Sequence, residues 1–147
     1  MFRKASIDDC MTVYQLICDM EAETLHYFRF QELFKKQLND DTRYECIVCE
    51  ENETVIGVLN LRYEEQLHHA GNIAEVMEFV IASEYRKKGI GRKMLAYACE
   101  RAIKNGCTQI EVASNQLRRD AHRFYLREGM ENLHYKFSKR LDLVNEL

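Results

Sequence analysis

The run Glu75-Val76-Met77-Glu78-Phe79-Val80-Ile81-Ala82, continued by Ser83-Glu84-Tyr85-Arg86-Lys87-Lys88-Gly89-Ile90-Gly91-Arg92-Lys93 and then by Met94 to Gly106, decides the fold. Its first third is dense in β-branched and aromatic residues and free of turn formers, which predicts a strand. In its last third Met94, Leu95, Ala98, Ala102 and Ile103 recur at three- and four-residue steps, and Asn105-Gly106 supplies a stop, which predicts a helix. A short basic turn with two glycines joins them. Where a strand passes through such a turn into a helix N-terminus, backbone N–H groups without intrahelical acceptors and the helix dipole together favour an anion. Gly89 and Gly91 allow a ligand close to the backbone, and Arg86, Lys87, Lys88, Arg92 and Lys93 put five cations within eight residues. The expected ligand carries phosphates.

Two nucleotide-binding motifs fail at this turn. A dinucleotide fingerprint, G-x-G-x-x-G, would need glycine where Met94 stands, and no G-x-x-x-x-G-K-[S/T] string occurs. What is present is Arg86-x-x-Gly89-x-Gly91 behind an apolar strand that carries Glu78. That pattern closely resembles motif A of the GNAT N-acetyltransferases, whose turn holds the pyrophosphate of acetyl-CoA. The resemblance implies acetyl-CoA as cosubstrate, held by Phe79, Val80 and Ile81 of the strand, by Arg86, Lys87, Lys88, Gly89, Ile90, Gly91, Arg92 and Lys93 of the turn, and by Asn115 and Phe124 further on.

The rest of the chain fits a single domain over residues 1–147, with 46% apolar and 31% charged residues, the balance of a globular protein with one core. A net charge of -3 gives no support to a nucleic-acid binder, so the basic cluster is local. There is no apolar run of transmembrane length and no signal peptide, since patterned sequence begins at once. Six cysteines, Cys10, Cys18, Cys46, Cys49, Cys99 and Cys107, read as reduced thiols of a cytoplasmic protein. Cys46-x-x-Cys49 falls in a predicted strand, where residues three apart face opposite ways and cannot share a metal.

In chain order, Phe2 to Ser6 is the first expected strand, and Ser6 with Asp8 and Asp9 opens a helix whose stripe is Cys10, Val13, Tyr14, Ile17 and Cys18. A second helix is expected over about Tyr27 to Leu38, carrying Tyr27, Phe30, Leu33, Phe34 and Leu38 and ended by Asn39-Asp40-Asp41. Strands are expected at Arg43 to Glu50 and Thr54 to Tyr63, the latter with Gly57 marking a bulge or a close backbone neighbour. Glu64 to Asn72 reads as a polar loop. After the deciding stretch come a strand at Cys107 to Ala113, a helix from about Leu117 to Glu128 ended by Gly129, and closing strands at Met130 to Leu133 and Tyr135 to Leu141. The order β-α-α-β-β-β-α-β-α-β-β predicts an α/β fold, a mixed sheet with helices on both faces. It is also the order of the GNAT acyl-CoA N-acyltransferase fold.

Acetyl transfer from a thioester to an amine needs a base for the ammonium, stabilisation of the carbonyl oxygen, and a proton for the departing thiolate. Glu78 interrupts an apolar strand just before the turn, and is the candidate base, directly or through a water. Glu75, an odd number of residues away, is expected on the other face. Ala121-His122-Arg123-Phe124-Tyr125-Leu126-Arg127-Glu128-Gly129 resembles the GNAT segment ending A-x-x-F-Y-x-x-x-G-F, with Met130 in place of the last aromatic, and this implies Tyr125 as proton donor. Asn115 resembles the position that bonds the pantetheine arm, although a helix-capping role accounts for it equally. Cys99 and Cys107 have no predicted base nearby, so direct transfer in a ternary complex is expected rather than an acetyl-cysteine.

Val13-Tyr14-Gln15-Leu16-Ile17-Cys18, Leu67-His68-His69 and Asp120 to Gly129 are similar to the aminoalkylphosphonate N-acetyltransferases of bacterial phosphonate metabolism. This implies a small-molecule amine bearing a phosphonate, a dianion suited to a fork of donors, with Arg29, Arg62, His68 and His69 as candidates. Adjacent histidines rarely chelate one ion, so no metal is expected. Other amines (aminoglycosides, polyamines, amino acids or proteins) and a non-catalytic acyl-CoA-binding module are the alternatives. Neither a membrane nor a nucleic-acid partner is expected. In this family the C-terminal strands often pair between subunits, which implies a homodimer.

Overall fold

The structure, a computed structural model, describes residues 1–142. Two units divide it, Met1–Val112 and a smaller one that begins at Ala113. In the larger unit the order is β1 (Phe2–Lys4), a 3-10 turn, α1 (Cys10–Glu21), α2 (Tyr27–Leu38), β2 (Tyr44–Glu51), β3 (Thr54–Gln66), a 3-10 turn at Leu67–His69, β4 (Gly71–Ile81), a 3-10 turn at Ser83–Tyr85, α3 (Ile90–Lys104) and β5 (Cys107–Val112). The strands form one sheet in the order β1-β2-β3-β4-β5. The first three pairings are antiparallel and β4–β5 is parallel. A mixed α/β sheet is therefore present as expected.

Strand alternation sorts the sheet's side chains onto two faces. On one, Cys46, Val48, Val58 and Val80 form a core with Val13, Leu16 and Ile17 of α1 and Phe34 of α2. On the other, Ile47, Leu59 and Leu61 are sealed from water together with Met94, Leu95, Ala98 and Ala102 of α3. A polar bracket ties that second face to α3. Arg101 Nε donates to Glu45 Oε2 (2.7 Å), Tyr63 OH donates to Glu45 Oε1 (2.7 Å), and Asn105 Nδ2 donates to Tyr63 OH (3.2 Å). Each buried oxygen of Glu45 thus has a donor, which offsets its desolvation.

Several local expectations hold and several need correction. The bounds of α2 are those read from the sequence. At Gly57 the reading of a bulge or a close backbone neighbour holds: Ile56 beside it is an extra residue in the β2–β3 register, and a Cβ there would stand 3.4 Å from Val80 O, as well as 2.7 Å from Ile81 Cδ1. All six cysteines are free thiols. By contrast, Glu64 to Asn72 is not a loop: β3 runs on to Gln66, and the β3–β4 ladder continues through Glu64↔Ile73 to Gln66↔Gly71. Paired backbone needs no apolar face to persist in a hairpin, so its polar side chains concealed it. Ile103, assigned to the apolar stripe of α3, is 71% exposed. The closing strands at 130–133 and 135–141 are not formed, and residues 130–142 carry no regular element. No ladder partner stands beside them among the described residues, and Tyr135 and Phe137 are exposed.

The smaller unit contains α4 (Arg119–Arg127), shorter than expected by two residues at its start and one at its end, within the ordinary fraying of helix ends. None of the described helices is long and apolar enough to cross a membrane.

Candidate active site

The register of β3 against β4 determines where the acidic side chains of β4 point. Asn60 pairs with Glu78, whereas Leu61 pairs with Val76, so Met77 is an extra residue in β4, a β-bulge. The bulge shifts the side-chain phase. Glu78 lies opposite Asn60 and Glu75 opposite Arg62, and Asn60 and Arg62, two apart on β3, share a face. Glu75 therefore stands on the same face as Glu78, against the expectation from odd spacing. The bulge is the physical reason, and it is invisible in one strand's sequence.

Around Glu78 the side chains form a chain of amides and charges. Asn60 Nδ2 donates to Glu78 Oε1 (3.0 Å) and to Gln37 Oε1 of α2 (3.0 Å). Asn60 is buried, and its Oδ1 has no hydrogen-bond partner. Arg62 Nη2 donates to Glu75 Oε2 (2.8 Å), and Arg62 Nε is buried with no partner. Burial raises the Glu78 pKa above the usual carboxylate range, opposed by the Asn60 N–H, reinforced by the negative charge of Glu21 and opposed again by Arg62. Under Glu78 lies a cavity of about 220 Å³ between α1, α2 and the sheet. Val13, Ile17, Phe30, Leu33, Phe34 and Val58 supply most of its wall, and Gln37, Asn60 and Glu78 its polar end. A second cavity, of about 230 Å³, runs between Thr12, Gln15, Leu16 and Asp19 of α1 and the stretch from Val80 to Arg86.

The β4–β5 ladder ends at Val76↔Val112, where β5 itself ends, while β4 continues past Glu78 to Ile81. β4 then leads into the basic turn. Arg86 Nε donates to Ile81 O (2.9 Å), clamping the turn to the strand end. Lys88 Nζ lies 5.4 Å from the centre of the Tyr85 ring, a cation–π contact. Lys87 has φ 64, a conformation that costs a non-glycine residue about 1 kcal/mol or more. Gly89 caps α3 with φ 82, and a Cβ there would meet nothing within 4 Å. Glycine is thus required by conformation, and the space above it is open. At this end Lys93 N–H donates to Gly89 O (3.2 Å), and the positive end of the dipole of a 15-residue helix faces that space. α3 begins at Ile90, four residues before the start expected at Met94, which places Ile90 to Lys93 in its first turn. These are the features a pyrophosphate fits.

In the smaller unit, Asn115 Oδ1 accepts from Leu117 N–H (2.9 Å), an Asx turn ahead of α4, and Asn115 O contacts His122 Nε2 (2.8 Å). Phe124 and Tyr125 stand edge to face, with ring centres 5.4 Å apart. Burial pushes the Tyr125 phenol above its usual pKa, with Arg118 pulling the other way.

The candidate acceptor residues are scattered. Arg62 is on the Glu78 face. Arg29 is largely exposed on α2 and paired with Glu32. His68 and His69 sit at the β3–β4 hairpin tip, with rings 4.3 Å apart and His69 Nδ1 2.7 Å from Gln66 Oε1. Six residues of strand separate Asn60 from Gln66, which puts that tip roughly 20 Å from Glu78. Asn60 and Gln37 were missed in the sequence. The available signal was a single amide inside the apolar run Ile56 to Leu61.

A mixed sheet whose fourth strand carries a half-buried carboxylate and runs into a glycine-capped helix is a frame suited to a transferase for a phosphate-bearing acyl carrier. The profile of the acetyltransferase (GNAT) family matches residues 10–130. The chain is 38% identical over 139 residues to the aminoalkylphosphonate N-acetyltransferase of Salmonella typhimurium, covering 95% of this chain and 90% of that one. Among solved structures, one titled a transcriptional regulator, from Bacillus halodurans, superposes with a TM-score of 0.87 at 25% identity, over 95% of this chain and 98% of that one. A GNAT family acetyltransferase from Staphylococcus aureus superposes with a TM-score of 0.78 at 22% identity, over 96% and 98%. The chain belongs to the GNAT family of N-acetyltransferases, enzymes that use acetyl-CoA.

Proposed function

We propose that this enzyme acetylates the primary amine of an aminoalkylphosphonate by direct attack in a ternary complex with acetyl-CoA. The observation that carries the mechanism is Glu78. It is a half-buried carboxylate held by Asn60, on the strand that outruns β5 and leads into the Gly89 turn. Its raised pKa suits a base working nearer neutrality than an exposed carboxylate would.

The thioester of acetyl-CoA supplies an activated acetyl group. Glu78 takes a proton from the substrate ammonium, directly or through a water, which frees the nitrogen lone pair. The amine nitrogen then bonds to the acetyl carbon as the carbon–sulfur bond breaks, Tyr125 OH gives its proton to the departing sulfur, and the second proton of the acylated nitrogen returns to the Tyr125 oxygen, leaving a neutral amide and a restored phenol. Gly89 and Gly91, with the first turn of α3 and Lys87, Lys88, Arg92 and Lys93, hold the pyrophosphate. Arg86 acts by clamping the turn. Phe79, Val80 and Ile81 lie along the pantetheine arm, to which Asn115 and Phe124 contribute. Burial raises the thiol pKa values of Cys99 and Cys107, and pushes that of Cys46 up to about 12, which argues against an acetyl-cysteine route.

The phosphonate reading rests on the relative from Salmonella and on Arg62, the candidate cation on the Glu78 face, whose buried Nε has no partner. We further take the chain as one catalytic domain, since the family profile runs across both units, acting as a cytoplasmic homodimer. The test is CoA release with 2-aminoethylphosphonate and 1-aminoalkylphosphonates against their carboxylate analogues. Turnover with phosphonates and little with carboxylates supports the reading. Equal turnover, or turnover with polyamines or aminoglycosides alone, removes the phosphonate from it.

A further inference from the structure

We infer that the acceptor amine carries a compact hydrocarbon arm, seated in the cavity beneath α1 and α2 with its ammonium at the Asn60–Glu78 end. The inference deepens the proposed function and rests on it for the reacting amine. Three observations support it. The cavity is about 220 Å³, and among the described residues its lining holds no cation. Apolar cavities of about 150 Å³ already accept benzene, so a butyl or benzyl group has room, whereas a phosphonate dianion inside would find no counter-charge.

The polar end has the complementary character. Asn60 Oδ1 is an unpartnered acceptor on a residue only 6% exposed. With Glu78 ionised, as a base must be, that amide orientation is the favoured one, because reversing it would set an oxygen against the carboxylate. A buried acceptor without a donor is costly unless a ligand supplies one. A substrate ammonium supplies two or three. It would donate to Asn60 Oδ1 and to Glu78 while its carbon skeleton lies against Ile17, Phe34 and Val58. The phosphonate is left outside the apolar wall, on the Arg62 side of the sheet face.

The substrate class is therefore a 1-aminoalkylphosphonate with an alkyl or aryl group on the amine-bearing carbon. kcat/KM is to be measured along the series aminomethyl-, 1-aminoethyl-, 1-aminobutyl- and 1-amino-2-phenylethylphosphonate, and along the matching amines without phosphonate. Each buried CH2 is worth up to about fourfold, so kcat/KM should rise at least tenfold from the first member to the third. Leu33→Phe, which fills the cavity from the half-exposed side of α2, should reverse the ratio of the phenyl member to the aminomethyl member. Phosphonates turned over with a flat or falling profile overturn the cavity assignment and leave the proposed function standing. A rise confined to plain alkylamines upholds the cavity and overturns the phosphonate. A rise that Leu33→Phe does not diminish places the arm elsewhere and overturns the inference.

Discussion

Replacing Glu78 by Gln separates its role as base from its role in the fold. Glutamine has the same length and keeps an oxygen where Asn60 Nδ2 donates at 3.0 Å, so the amide chain to Gln37 survives. What is lost is proton acceptance. A positioned general base contributes about 10² to 10⁴ in rate, roughly 3 to 5 kcal/mol of barrier, and kcat should fall by that factor with acetyl-CoA affinity unchanged. In the wild type, kcat/KM rises with pH as Glu78 loses its proton, and its raised pKa places that acid limb above the range of an exposed glutamate. The limb should vanish in the variant. Stability supplies a second reading. A carboxylate whose folded pKa is raised binds more protons folded than unfolded between the two pKa values, so it lowers stability as pH rises through that window. The Gln variant should therefore match or exceed the wild-type Tm above the folded pKa of Glu78, and gain nothing below the unfolded one. Initial rates of thiol release from about pH 5 to 9 decide it, together with thermal melts taken near pH 9 and below the unfolded glutamate pKa of about 4.3. Activity within threefold of wild type with the acid limb intact would refute Glu78 as base.

Three further perturbations are informative. Tyr125→Phe removes the proton donor and should lower kcat about 10²-fold, with acetyl-CoA binding by calorimetry unchanged. Gly89→Ala places a Cβ at φ 82 and should cost about 1–2 kcal/mol of stability, with KM for acetyl-CoA raised more than KM for the amine. Arg3→Ala strips the Asp9 carboxylate of donors at 2.8 and 3.0 Å and should cost about 1–3 kcal/mol at neutral pH. Asp9, whose pKa is held down chiefly by Arg3, stabilises the wild type above its unfolded pKa, and that stability is lost as pH falls through the lower, folded value. Melts of the two proteins should therefore converge in acid.

The deciding stretch was legible because its physics is local. Strand composition, a glycine turn and a 3.6-residue apolar stripe need no partner to be recognised, and α2 likewise declared both ends, with apolar spacing from Tyr27 and Asn39-Asp40-Asp41 after Leu38. What depends on two segments at once was hidden. The bulge at Met77 exists only in the register of β4 against β3, so the shared face of Glu75 and Glu78 could not be read from spacing. Asn60 acquires meaning only when Glu78 stands opposite and Gln37 arrives from α2. The paired extension through Gln66 looked like a loop because its ladder is backbone and its side chains are polar. At Tyr135 to Leu141 the two aromatics are strand formers, but a strand is a relation between chains of backbone, and the described residues offer that segment none.

The most direct test is an initial-rate matrix of acetyl-CoA against 2-aminoethylphosphonate, with the masses of product and protein followed together. Lines that intersect, an amine heavier by one acetyl group and a protein that never carries one are the results predicted for direct transfer. Parallel lines with acetyl on a cysteine, or CoA release that no phosphonate accelerates, would contradict it.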